Sequence, residues 1–197
     1  MSSNRILSAF RRDNPSGQSI RRFGRTLFFW ASWVPAIIFF NENVGEVTII
    51  NGPSMYPYLN TGYNESNSRD LCWVNKRKPA HNLERGMLVS FSSVNTPERT
   101  AIKRVIALPG DRVVTRAPYP IPVVDIPQNH IWVEGDNKDG NKTLDSNTYG
   151  PISMSLLQGK ITRVLWPWNS AGQIRWWEFK GRTKVIKGKG EDAPGWE

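Results

Sequence analysis

The sequence predicts a mainly β domain carried behind one N-terminal transmembrane helix. Three observations point there. The stretch from Leu27 to Phe40 contains no charge. After it the chain breaks into short apolar runs punctuated by Gly, Pro and Asn, the pattern of strands and turns. Trp and Pro are abundant, at 9 and 14 of 197 residues, which suits a turn-rich β body better than a helical bundle.

Residues 1–25 are basic, with six Arg against a single acid, Asp13. That composition resembles a mitochondrial import signal, and it is also the positive flank expected on the inner side of a membrane helix. The fourteen residues Leu27–Phe40 fall short of the ~20 that usually span a bilayer. A buried core helix or the apolar region of a cleaved signal peptide therefore competes with an anchor. Aromatic residues near both ends favour the anchor, placed over residues 26–42, and Arg21, Arg22 and Arg25 are positioned to snorkel. No small-x-small cleavage site follows at once, because Asn41-Glu42-Asn43 comes next. Pro35 is tolerable in a membrane helix but predicts a kink. The positive-inside bias leaves residues 1–25 on the matrix or cytosolic side and the rest of the chain across the membrane.

In the body, residues 43–169, the expected strands are 47–50, 71–75, 87–93, 100–108, 112–115, 131–134 and 160–166. A short helix is expected over Met154–Gln158, capped by Ser153 and ended by Gly159. Asn60–Asp70 reads as a surface loop, and residues 170–197 as a basic, disordered tail. The formal net charge of +9 is largely terminal, with five Lys or Arg between Lys180 and Lys189. No nucleic-acid motif accompanies it, so nucleic acid is not an expected partner. Cys72 is the only cysteine, which excludes an intramolecular disulfide. Neither His81 nor His130 has a neighbouring ligand pair, so no metal and no cofactor is expected. A hydrolase with so few histidines would have to find its base elsewhere.

Four segments carry candidate chemistry. In Asn51-Gly52-Pro53-Ser54-Met55-Tyr56-Pro57, the two prolines restrict the backbone and hold Ser54 on a rigid turn at a strand end. An ordinary β-turn would look the same. In Thr100–Asp111, period-two alternation puts Lys103 on one face with Ala101, Val105 and Ala107, and Ile102, Arg104, Ile106 and Leu108 on the other. Apolar neighbours strip water from the amine and lower its pKa, and a neutral amine is what a lysine needs to take a proton from serine. An edge-strand lysine reaching water is the plain alternative, and Arg104 reads as solvated or ion-paired. The polar run Gly135–Pro151 has the composition of a loop, and Arg85–Phe91 that of a strand entered through a glycine.

Taken together, the order of these segments closely resembles type I signal peptidases. The nucleophile box is Ser-Met-x-Pro, followed by an Arg-Gly strand. A Lys-Arg-Val-Ile-x-Leu-Pro-Gly-Asp base box and a Gly-Asp-Asn…Asp-Ser segment complete the order, over about Val47 to Pro167. The stretch Asp145–Pro151 looks most like the mitochondrial branch of the family, where Asn147 stands in place of a bacterial Arg. The resemblance implies a signal-peptidase-like β-rich catalytic domain and a serine endopeptidase with a Ser54/Lys103 dyad. It implies Ser54 N–H as oxyanion donor, Thr143 as the hydroxyl that holds the lysine amine, and Asp145 and Ser146 as residues ordering the site. It further implies precursor proteins as substrates, a second protease subunit as heterodimeric partner, and contact with membrane lipid. The place implied is the mitochondrial inner membrane, with the catalytic domain facing the intermembrane space. Three departures stand out: Gly52 lacks the hydroxyl many bacterial relatives present to the oxyanion, Tyr58 replaces a usual Thr, and the spacing from Gly135 to Thr143 is two residues longer than usual.

The competing readings are a catalytically silent stabilising subunit, a self-cleaving Ser/Lys repressor, and a signal peptidase of another membrane. Intact Ser54 and Lys103 oppose the first, and an apolar anchor where a helix-turn-helix would be needed opposes the second. A glycosylation sequon at Asn141-Lys142-Thr143, inside the expected site, disfavours the secretory lumen. The anchor is directly testable. Alkaline carbonate extraction should leave the protein in the membrane pellet, and release into the supernatant would remove the anchor from the account.

Overall fold

A computed structural model of the protein describes residues 15–63 and 69–188. The chain divides into two compact units, Met1–Asn41 and Glu42–Glu197. In the first, helix α1 (Pro15–Ser32) is followed by α2 (Val34–Asn43), with a break at Trp33. The break lies just before Pro35, which has no N–H to donate and whose ring crowds the carbonyl four residues back, that of Ala31. The expected kink is thus an interruption, across which Ile37 N–H still donates to Trp33 O at 3.0 Å. Every residue from Arg22 to Asn43 is exposed. This stretch of 22 residues contains an 18-residue window with a mean hydropathy of 1.4, so it is long and apolar enough to cross a bilayer. It exceeds the uncharged run because helical structure continues at both of its ends.

The second unit is mainly β. Its strands are β1 (Gly45–Ile49), β2 (Leu71–Asn75), β3 (Leu88–Ser92), β4 (Thr100–Ala107), β5 (Arg112–Val114), β6 (Val123–Asp125), β7 (His130–Glu134), β8 (Ile152–Ser153), β9 (Leu157–Trp166), β10 (Gly172–Gln173) and β11 (Val185–Ile186). The large antiparallel sheet runs β1-β2-β9-β3-β4-β7-β8, with β10 added beside β9, and a small sheet runs β11-β5-β6. The central strand β3 is buried on both faces. Leu88 joins a core of Ile50, Met55, Leu59, Cys72, Val74 and Ile161, whereas Val89 joins one of Val105, Ile131, Val133 and Ile152. A third core, Ile106, Ala107, Val113, Ile126 and Trp132, lies between the end of β4 and the small sheet.

Several expectations are corrected. The helix at Met154–Gln158 is a single 3-10 turn, Met154–Leu156, capped as expected by Ser153. The chain then enters β9 directly, so Gly159 ends no helix and instead lies within a strand opposite Ser90. The Asn60–Asp70 segment is not simply a surface loop, because Asn60 and Asp70 are buried. Asn60 N–H donates to Asp70 Oδ2 at 2.8 Å and Asp70 N–H to Asn60 Oδ1 at 2.9 Å, which pinches the ends of the segment together. The tail expected to be disordered from residue 170 is part of the packed body as far as Gly188, and its remainder lies outside the described residues. Ile174 enters the first core and Phe179 and Val185 pack on the third. Composition concealed this because single apolar residues are spaced among Lys and Gly.

Gly159 provides a test of the sheet packing. A Cβ there would collide with Val74 Cγ1 and stand 3.1 Å from Asn75 O and 3.3 Å from Ser90 Oγ. Gly159→Ala should destabilise the body by roughly 1–3 kcal/mol, read as a lower midpoint in denaturant.

Candidate active site

The turn that carries Ser54 is fixed from both sides. Strand β1 ends at Ile49, and Gly52 takes a φ of 85°, a conformation costly for any residue with a side chain. Met55 and Leu59 are fully buried in the first core and pull the turn down, leaving Ser54 half-buried beside them. Tyr56 N–H donates to Pro53 O at 3.0 Å and Leu59 N–H to Met55 O at 2.9 Å. Asn60 Nδ2 donates to the carbonyls of Ile50 and Gly52, each at 3.0 Å. On the other flank, Asn137 Nδ2 donates to Pro53 O at 2.8 Å and Asn137 N–H to Ser54 O at 3.1 Å. Among the described residues, the N–H and Oγ of Ser54 have no hydrogen-bond partner, so both are available to a ligand.

Lys103 is only 5% exposed. It lies on β4 opposite Val89, so it shares a sheet face with Val89, Ala101 and Val105, all within or against the second core. Ala107 is not on that face. The pairing with β7 shifts between Val105 and Ala107, and Ile106 is the extra residue. The bulge sends Ile106 and Ala107 into the third core and Leu108 toward the second, reversing the simple alternation. Burial pushes the Lys103 amine down to about 8, against the opposing pull of Asp145 and then Asp136. No salt bridge joins Lys103 to a carboxylate among the described residues.

The two nearby carboxylates are engaged elsewhere. Arg104, on the opposite face and 1% exposed, donates from Nε to Asp136 Oδ1 at 2.8 Å and from its second terminal nitrogen to Oδ2 at 2.5 Å. It also donates to Gly86 O at 2.7 Å, and its guanidinium lies 4.4 Å from the Tyr58 ring centre and 4.3 Å from that of Phe179. Arg104 is therefore ion-paired, as one of the two sequence readings had it, but buried. Asp145 Oδ2 accepts from Gly135 N–H at 3.1 Å and from Thr143 Oγ1 at 3.4 Å, while Oδ1 accepts from Asn147 N–H at 3.0 Å and Asn147 Nδ2 at 3.1 Å. Asp145 also caps the short helix α3 (Ser146–Tyr149).

Gly135 is the junction. Arg104 pairs with Glu134 at the end of β7, so the register continued by one residue sets Lys103 opposite Gly135. A Cβ at Gly135 would strike Thr143 Oγ1 and stand 2.6 Å from Ser54 O. Ser54, Gly135, Thr143 and Asp145 are thus brought to one place at the buried end of the Lys103 strand. Ser146 is fully buried, and its Oγ accepts from Val133 N–H at 3.0 Å, so it fastens α3 to β7. Sequence reasoning missed the clamps Asn60 and Asn137 and the buried acceptor Glu134. Asn137 sits within the quoted Gly-Asp-Asn segment, which was the available signal, but Asn60 had none. Neither histidine is buried. Burial raises the Cys72 thiol to about 12, with Asp70 adding to the shift, so it is a poor nucleophile.

Residues 22–119 match the family described as signal peptidase, peptidase S26. Subunit 2 of the mitochondrial inner membrane protease of Saccharomyces cerevisiae is 40% identical over 151 residues, 76% of this chain and 84% of the yeast one. Subunit 1 of the mitochondrial inner membrane protease of Homo sapiens is 35% identical over 136 residues, 68% of this chain and 77% of the human one. A crystal structure of a signal peptidase I from Enterococcus faecalis overlaps with a TM-score of 0.36 at 18% identity, covering 41% of this chain and 97% of that one.

The junction makes a sharp expectation. Gly135→Ala should leave the circular dichroism of the body intact while lowering Ser54-dependent hydrolysis roughly a hundredfold, because the added methyl displaces the Ser54 turn. A Gly135→Ala enzyme of normal rate would mean that the close approach at Gly135 has no part in the site.

Proposed function

The chain belongs to the peptidase S26 signal peptidase family, and on that premise we propose that it cleaves precursor proteins through a Ser54/Lys103 dyad. Its relatives make it a signal-peptidase-type protease of the mitochondrial inner membrane. The observation that carries the dyad is a lysine buried with no carboxylate partner among the described residues, its amine held down to about 8, on the strand paired with β7, whose next residue Gly135 lies against the Ser54 carbonyl.

Ser54 Oγ attacks the scissile carbonyl carbon as its proton passes to the neutral Lys103 amine. The carbonyl oxygen becomes an oxyanion, for which the unpartnered Ser54 N–H is the donor in this chain. Collapse breaks the C–N bond, and the Lys103 ammonium returns the proton to the departing amine, which leaves an ester on Ser54. A water then gives a proton to Lys103 as it attacks the ester, and Ser54 Oγ recovers that proton as the acid is released. Thr143 supports this cycle from behind. With its hydroxyl hydrogen directed to Asp145, its lone pairs remain to accept from the amine, leaving the nitrogen lone pair for Ser54. The substrates are the sorting segments of intermembrane-space precursors, and the catalytic body faces that space behind the anchor. Relatives named as both subunit 1 and subunit 2 support a heterodimer in which this chain is the second subunit.

Mutation and pH test the dyad together. Ser54→Ala should abolish precursor cleavage with little change in stability, and full activity there would leave only a silent stabilising role. Since only the neutral amine is a base, activity should rise with pH through an acid limb centred near 8 and then level off. Lys103→Met and Lys103→Arg should both be inactive, the latter because guanidinium stays protonated at working pH. Stability should also rise with pH, over a higher window. The folded pKa of about 8 lies below the free value of 10.5, so charging the buried amine costs the fold its full amount below pH 8 and nothing above about 10.5. Lys103→Met should therefore be at least as stable as the native protein at pH 7, by up to roughly 3 kcal/mol in denaturant.

A further inference from the structure

The last described segment lies beyond the Val47–Pro167 stretch that carries the family resemblance, yet its contacts fall on the residues around the dyad. Phe179 stacks on Arg104, the residue next to Lys103, at 4.3 Å. One terminal nitrogen of Arg182 donates to two carbonyls, Gly135 O and Asn137 O, each at 3.0 Å. Thr183 Oγ1, buried, stands 2.7 and 2.8 Å from the two oxygens of Glu134 and donates to one of them. Val185 pairs with Val113 in the small sheet, and Gly188 N–H donates to Asp111 Oδ1 at 3.0 Å. In order along the chain, these contacts meet the base box, the Gly-Asp-Asn corner and the base box again.

We propose that Trp176–Gly188 is a strap that sets the active-site geometry, and that Arg182 is its positioning residue. The proposal rests on the Ser54/Lys103 reading. Gly135 and Asn137 flank Asp136, so a guanidinium bridging their carbonyls fixes the turn of that corner. Asn137 in turn holds Pro53 O and Ser54 O, and Gly135 lies against Ser54 O and Thr143. Only one residue therefore separates the Arg182 guanidinium from the backbone of the nucleophile turn. Arg182 also lines the small cleft that contains Thr143 and Asp145. The side chain is exposed overall, and it donates here to main-chain oxygens rather than to a carboxylate. Its work is orientation, since it neither neutralises a charge nor fills a core.

The test uses the full-length chain co-expressed with its partner subunit, purified in detergent, and a precursor peptide that the unaltered enzyme cleaves. Arg182→Met keeps the stem and removes the donors. It should lower kcat roughly ten- to hundredfold with KM unchanged within about twofold, because a misaligned nucleophile costs rate and not binding. The acid limb should stay near 8, as Lys103 remains buried. A variant that merely loosened the domain would admit water and move that limb toward 10.5. Arg182→Lys, which keeps N–H donors on a shorter stem and a differently shaped head, should recover part of the lost kcat. Normal kcat in Arg182→Met, a change confined to KM, or a shifted acid limb would each overturn the strap's role. Should Arg182→Met fail to fold, Arg182→Lys decides: reduced kcat supports the proposal and full kcat removes it. Ser54→Ala, assayed beside them, separates the two claims. If it is inactive while Arg182→Met is normal, the dyad stands without the strap; if it is active, the dyad itself has failed.

Discussion

A lysine taken out of water remains charged if a carboxylate closes on it, and the rest of this site depends on preventing that closure at Lys103. Burial alone favours the neutral amine, but Asp136 and Asp145 both lie near enough to pull the other way. The fold answers by occupying them. Asp136 is held in a two-point pair by Arg104, and Asp145 commits both oxygens to Gly135, Thr143 and Asn147. Each carboxylate thus keeps its hydrogen bonds while leaving the amine unpaired. Asn147 fits this logic well, since a neutral amide adds donors to Asp145 without bringing a further charge to the cluster.

The same constraint explains the unusual cost accepted around Arg104. Burying a guanidinium is unfavourable unless its partners are complete, and here an ion pair, the Gly86 carbonyl and two aromatic rings together replace its hydration. Tyr58, one of the departures from the family pattern, supplies one of those rings. Phe179, from the C-terminal segment, supplies the other. The departure at position 58 therefore has a packing role, closing the opposite side of the Lys103 strand.

Rigidity at the Ser54 turn comes from main-chain acceptors more than from prolines. Asn60 and Asn137 together bind four carbonyls at the ends and centre of the Ser54 turn, and Met55 and Leu59 anchor it in a core. Glu134 plays the corresponding part at the end of β7, accepting from Trp132, Asn147, Thr183 and Arg116. It ties α3, the strap and the loop after β5 to the strand that presents Gly135.

The sequence by itself determined the apolar N-terminal helix, the β character of the body and the choice of Ser54 and Lys103 as candidate residues. These follow from local causes: an uncharged run, short apolar segments between turn residues, and a motif order that survives without knowledge of contacts. It also placed Lys103 among apolar neighbours, with Ala101 and Val105 correctly on its face. Ala107 failed because a bulge at Ile106 depends on the partner strand, which periodicity along one strand cannot register. The Asn60–Asp70 clamp, the Gly135 junction and the packed segment through Gly188 were decided by tertiary structure alone. Polar residues and isolated apolar residues in Lys- and Gly-rich stretches carry no period, so their burial emerges only when distant strands supply the hydrogen bonds and core that replace water.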